Sequence, residues 1–154
     1  MNPKNPSESR TESANLLMPQ HANAYGNAFG GQIMAWIDNV AAICAFRHAR
    51  TLCVTASMDA LHFISPIKVG EMVILQANVN FAGKTSMEIG VKVTSQNPIT
   101  GEKKHTASSY LTFVAIDEKG HPVEIPALAP ESEQEKKWFI EAKKRRELRL
   151  NNRR

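Results

Sequence analysis

From Ile33 to Phe46 the chain runs fourteen residues with only two polar side chains, Asp38 and Asn39. Ile33, Ile37, Val40, Ala41, Cys44 and Ala45 fall on one helical stripe, and Met34, Trp36, Ile43 and Phe46 make the other faces apolar too. A helix apolar almost all round has to be wrapped on several sides by the rest of its domain. An ionised aspartate costs free energy there unless something pairs with it. A solvent-facing Asp38, or one bonded to a strand, is the plain reading; the shortage of polar face makes it instead the first candidate for chemistry.

The loop before this helix reads Asn23-Ala-Tyr-Gly-Asn-Ala-Phe-Gly-Gly31. Paired glycines let backbone come close to a ligand. Gly30 and Gly31 open the helix, where unpaired N–H groups and the helix dipole favour a developing negative charge. Those are the requirements of an oxyanion hole. Asn23 adds an amide that orients a carbonyl or a water without titrating.

Asn23, Gly26, Phe29-Gly30-Gly31, Ile33-Met34 and Asp38 resemble the signature loop and helix of hotdog-fold acyl-CoA thioesterases, most of all the acyl-CoA hydrolase branch. A second block, Val54-Thr55-Ala56 through Phe63-Ile64-Ser65-Pro66 to Val69-Gly70-Glu71, resembles the strands that follow in the same family. The likeness extends from Leu16 to Pro126. It implies hydrolysis of acyl-CoA to fatty acid and coenzyme A, with no cofactor beyond the coenzyme A of the substrate. It also implies sites built across a dimer, often with three dimers in a hexamer.

The strand pattern agrees with that fold. Ser13 to Met18 reads as a short strand, Leu52 to Ile64 as a long one, and Met72 to Phe81 alternates with Val73, Leu75, Ala77, Val79 and Phe81 on one face. Ala82 to Thr85 marks a hairpin, Met87 to Val93 the return strand, and His105 to Ile116 a last strand. The expected architecture is α+β: a long antiparallel sheet wrapped around a central helix, with an additional C-terminal helix from Glu133 to Leu150 capped by Ser132. The expected layout is a flexible arm over 1–12, the hotdog domain over 13–126 and a basic helix and tail over 127–154.

The net charge of +4 is uneven: Lys136 to Arg154 holds nine basic and two acidic residues, a net of +7, which leaves −3 for the rest. No apolar run is long enough for a membrane span and no signal-peptide pattern opens the chain, so a cytoplasmic location is expected. Two cysteines do not make a disulfide framework. No His, Cys or Asp cluster has metal-ligand spacing.

Asp38 is the expected general base or nucleophile. It lies eight residues, about 12 Å of helix, beyond Gly30. One carbonyl does not span that gap within a chain, so a two-fold pair of antiparallel helices is expected to bring Gly30 of one chain near Asp38 of the other. Thr55 matches a family position close to the site and is placed to hydrogen bond to Asp38. In the family, the turn equivalent to Gly83-Lys84-Thr85-Ser86 lies near the coenzyme A phosphates, so Gly83, Lys84 and Ser86 are binding candidates. Asp59, His62 and Cys53 are rivals that fit ordinary strand positions better. A non-catalytic acyl-CoA sensor and a nucleic-acid binder using the basic tail are the competing functions. The chain keeps Asp38, and the tail has few interleaved aromatics, which argues against both.

Overall fold

The apolar run folds as α1, Gly30–Ala49, which ends at Arg50 in the left-handed region. The structure, a computed structural model, describes residues 1–152; Arg153 and Arg154 of the basic tail lie outside the described residues. Around α1 stand β1 (Thr11–Leu16), β2 (Cys53–Phe63), β3 (Met72–Ala82), β4 (Ser86–Gln96) and β5 (Lys103–Ala115), followed by α2 (Glu133–Asn151). They form one antiparallel sheet in the order β1-β3-β4-β5-β2. Among the described residues no helix is long and apolar enough to cross a membrane.

The inner face of the sheet closes on the expected helical stripe. Val73, Leu75, Ala77 and Val79 of β3, Met87, Ile89, Val91 and Val93 of β4, and Leu111 and Phe113 of β5 are all buried against Ile33, Ile37, Val40, Ala41 and Cys44. Each Val, Leu, Ile, Met or Phe among them contributes about 1.5–3 kcal/mol by leaving water.

Four expectations change. First, α1 is wrapped on fewer sides than its nearly all-round apolar surface implies: within one chain Met34, Ile43 and Phe46 stay 38–45% exposed, because the sheet curls around only part of the helix.

Second, Phe81 leaves the inner face. A bulge between Val79 and Phe81 shifts the alternation, and Phe81 packs against Phe139 of α2 at 5.1 Å between ring centres.

Third, residues 1–12 are not a loose arm. Asn5 caps a turn over Pro6–Glu8, and β1 already begins at Thr11. Lys4 donates through Nζ to the carbonyls of His48 at 2.8 Å and Arg47 at 3.2 Å, taking up acceptors left open at the end of α1. These partners lie more than forty residues away in sequence, where local patterns give no sign of them.

Fourth, the basic C-terminal segment is not separate from the domain. Ser132 and Glu135 cap α2 reciprocally at 3.0 Å. The helix then lies on the outer face of the sheet, with Ala142 and Glu135 buried.

Candidate active site

Two groups of candidate residues stand at separate places along α1. The first is Asp38 with Thr55. Helical spacing puts Asp38 one turn beyond Met34, on the side of α1 that the sheet leaves open, and it is half-buried. Thr55 sits near the start of β2, and its Oγ1 donates to Asp38 Oδ1 at 2.6 Å. Among the described residues Asp38 Oδ2 carries no hydrogen bond, so one carboxylate oxygen is held and the other is unengaged.

The second group is the loop and the helix start. Asn23 Oδ1 accepts from the N–H of Tyr25 at 2.9 Å and of Asn27 at 3.2 Å. The Asn23 N–H donates to Asn27 O at 2.8 Å, and Gly26 N–H to Asn23 O at 3.0 Å. The side-chain oxygen of Asn23 is therefore spent on the loop, and its Nδ2 remains as a donor. Gly26 takes φ +78, a left-handed turn that glycine adopts without strain. Phe29 N–H bonds to His21 O at 2.8 Å, and the His21 ring stands edge-on to Trp36 at 5.0 Å, which fastens the loop to α1.

The first N–H used inside the helix is that of Gln32, to Phe29 O at 3.0 Å; among the described residues those of Gly30 and Gly31 have no partner. A Cβ on Gly31 would stand 2.8 Å from Phe29 Cε1, so glycine there lets the Phe29 ring fold back beside the open N–H groups.

Gly83 and Lys84 open the β3–β4 turn and Ser86 begins β4, with Gly83 N–H bonded to Ser86 O at 2.7 Å. Ser86 is in register with Val114, and Val114 with Val54. The turn is thus at the same end of the sheet as Thr55, two strands or about 10 Å across. Arg146 of α2 reaches this turn, its Nη2 3.7 Å from the position a Gly83 Cβ would take. Nothing in the sequence sets Arg146 apart from the rest of the basic tail.

The rivals have other duties. Strict alternation from Thr55 would aim Asp59 at α1. A bulge between Thr55 and Ser57 turns it to the outer face, where its Oδ2 accepts from Arg149 at 2.7 Å. Burial pushes the thiols of Cys44 and Cys53 up to about 11, so neither is a thiolate near neutrality. His62 is an exposed residue of β2 facing Ser108. His105 Nε2 lies 2.7 Å from Ser108 Oγ but also 3.0 Å from Ala107 O. The Ala107 carbonyl can only accept, so Nε2 meets it as a donor and not as a base for that serine.

The tail is not a free polycation either. Arg145 donates to Glu88 through Nε at 2.9 Å and Nη2 at 2.8 Å, and Arg149 donates to Glu88 at 3.2 Å. Glu88 is 1% exposed. This network leaves no local signal in the sequence, because each arginine is at least 57 residues from its acid.

The thioesterase superfamily model matches residues 25–102. A Bacillus subtilis protein named as an uncharacterized acyl-CoA thioester hydrolase is 42% identical over 83% of this chain and 74% of its own. The crystal structure of an apo-hexameric acyl-CoA thioesterase superposes with a TM-score of 0.94 at 40% identity, over 98% of this chain and 97% of that one. An acyl-CoA hydrolase from Staphylococcus aureus, solved with butyryl coenzyme A and coenzyme A, superposes with a TM-score of 0.92 at 39% identity, over 97% and 92%. That hydrolase has also been solved with an asparagine, an aspartate or a threonine changed to alanine. The three stand 15 and 17 residues apart in its chain, the intervals that separate Asn23, Asp38 and Thr55 here.

Proposed function

This chain belongs to the thioesterase superfamily, with the hotdog fold, and on that premise we propose that it hydrolyses acyl-CoA to a free fatty acid and coenzyme A at Asp38. The observation that carries the reading is the 2.6 Å bond from Thr55 to one oxygen of Asp38, which leaves the other free. The matching intervals in the staphylococcal hydrolase support the same three residues.

In this reading Asp38 is the general base. Its Oδ2 takes a proton from water as the water oxygen bonds to the thioester carbon. The carbonyl electron pair moves onto oxygen and is met by the N–H groups of Gly30 and Gly31 and by Nδ2 of Asn23. Return of that pair breaks the carbon–sulfur bond, and the coenzyme A thiolate takes the proton from Asp38. Water and the protein's own groups complete the balance, so no cofactor enters.

The separation of about 12 Å along α1 is closed by a second chain: Asn23, Gly30 and Gly31 of one protomer serve Asp38 and Thr55 of its partner. The uncovered apolar face of α1 with Met34, Ile43 and Phe46, and the exposed Val54 on edge strand β2, supply a surface for that pairing. In this reading such dimers assemble by threes, a proposal that fits a relative solved as a hexamer. The sheet and central helix of the hotdog domain carry the chemistry. Gly83, Lys84 and Ser86, joined by Arg146, hold the phosphates of coenzyme A.

Thiol release from acyl-CoAs of graded chain length tests the proposal directly. Steady turnover of at least one chain length is expected, and none across the series would overturn it. A burst of thiol equal to the number of sites, ahead of fatty-acid release, would make Asp38 the nucleophile instead.

A further inference from the structure

We infer that Arg149, acting on Asp59, is a positioning residue for the Asp38–Thr55 pair, so that α2 holds the edge strand in the register that carries Thr55 to Asp38. The inference rests on the hydrolase reading above. Among the described residues of one chain, β2 is bonded to one neighbour only, β5. It carries two bulges: Thr55 pairs with Phe113 but Ser57 with Thr112, and Asp59 pairs with Tyr110 but His62 with Ser108. Each places one residue more on β2 than on β5, and between them only Ser57, Met58 and Asp59 follow a regular ladder. A slip of one residue turns side chains to the opposite face, which here would take Thr55 away from Asp38.

Asp59 is where slippage is opposed. Its carbonyl accepts from Ser109 Oγ at 3.0 Å and its carboxylate from Arg149 Nη1 at 2.7 Å. The same Nη1 bonds to Glu88 Oε1 at 3.2 Å, and Arg145 holds Glu88 through two further bonds. The grip therefore spans β5 and is anchored on β4. Arg145 also lies 3.6 Å over the ring of Tyr110, the residue opposite Asp59. Asp59 is 32% and Arg149 21% exposed, so the pair matters more as a geometric restraint than as a source of stability.

The test compares Arg149→Met with Arg10→Met in the full-length assembled protein. The control breaks the ion pair with Glu135 at the other end of α2, 3.1 Å long. Arg149→Met is expected to lower kcat for acyl-CoA about tenfold, the scale of a small misplacement of a reacting group, with KM within about twofold. Arg10→Met should keep the original kcat, and Arg149→Lys should restore part of the loss. Adding Arg149→Met to Thr55→Ala should cost nothing more, because the contact through which it acts is already gone; additive losses would overturn the proposal. Amide exchange from Val54 to Met58 should be faster in Arg149→Met than in the control, and unchanged exchange rejects the clamp whatever the activity. Should Thr55→Ala alone leave kcat intact, the assignment of the site fails instead, and the exchange measurement then decides the clamp by itself.

Discussion

Asp38 and Asn23 each have one polar atom engaged and one open, and that division tells what each can do. Thr55 takes Asp38 Oδ1, and the loop N–H groups of Tyr25 and Asn27 take Asn23 Oδ1. Asn23 is then a donor, suited to an oxyanion, and not an acceptor for water. Asn23→Asp separates the two duties, because it keeps the oxygen that folds the loop and removes the N–H groups. We expect it to fold normally and lose a factor of about 10² or more in kcat, as when an oxyanion donor is removed. Near-normal turnover in the folded variant would take Asn23 out of the site. Asp38→Ala should abolish nearly all turnover with the fold intact, and a well-folded active variant would redirect attention to another base. These residue types were legible in the sequence through the motif Asn23 to Asp38. The protonation-blind facts, such as which Asn23 atom is free, were not, since they depend on how the loop closes on itself.

At the scale of elements, the long periodic segments were legible and the interruptions were not. α1, β3, β4 and β5 announce themselves by spacing. The bulges in β2 and at Val79/Phe81 do not, because an extra residue changes the face of everything after it while leaving the composition unchanged. Asp59 and Phe81 both change sides for this reason. α2 was legible as a capped helix, but its arginines look like a solvated charge run until Glu88 is seen beneath them. Deleting Glu141 to Arg154 would strip the buried Glu88 of both arginines, and an uncompensated buried charge costs about 3–5 kcal/mol. We expect a large fall in the denaturation midpoint, partly recovered by Glu88→Gln; a truncated chain as stable as the full one would show the network to be idle. Loss of more than half of α2 therefore cannot report on substrate phosphates. Arg146→Ala and Lys84→Ala can: each should raise KM for acyl-CoA more than it lowers kcat, since distant phosphate contacts serve ground and transition states alike. The effect should shrink in high salt, and a KM that does not move at low salt would take this turn out of coenzyme A binding.

For the molecule as a whole, acid should act in two steps. Burial lowers the pKa of His48, whose Nε2 donates to Pro126 O at 2.8 Å, and Lys4 nearby lowers it further. The unfolded chain takes up a proton near the ordinary value of 6.5 while the folded one resists, so stability is full above that pH and falls below it. Burial alone would raise Glu135. The N–H groups of Glu131 and Ser132, with Asn5 and Arg10, outweigh it and hold the carboxyl at about 2 against an ordinary 4.5. Its contribution is present above 4.5 and lost as pH falls toward 2. Denaturant midpoints across this range should show both steps, with His48→Gln removing the upper one alone; a mutant that keeps the upper step would acquit His48. Assembly poses the stronger question, because the proposed site draws its two halves from different chains. Asn23→Asp leaves Asp38 and Thr55 intact, and Asp38→Ala leaves Asn23, Gly30 and Gly31 intact. If each site draws one half from each chain, a mixed dimer holds one site with both defects and one with none. Equal mixtures of the two inactive variants form about half mixed dimers, each with one working site, so about a quarter of the original activity should return once subunits exchange. Exchange proven by differently labelled chains, with no activity regained, would put the whole site inside one protomer and require α1 to bend or the loop to reach back along it.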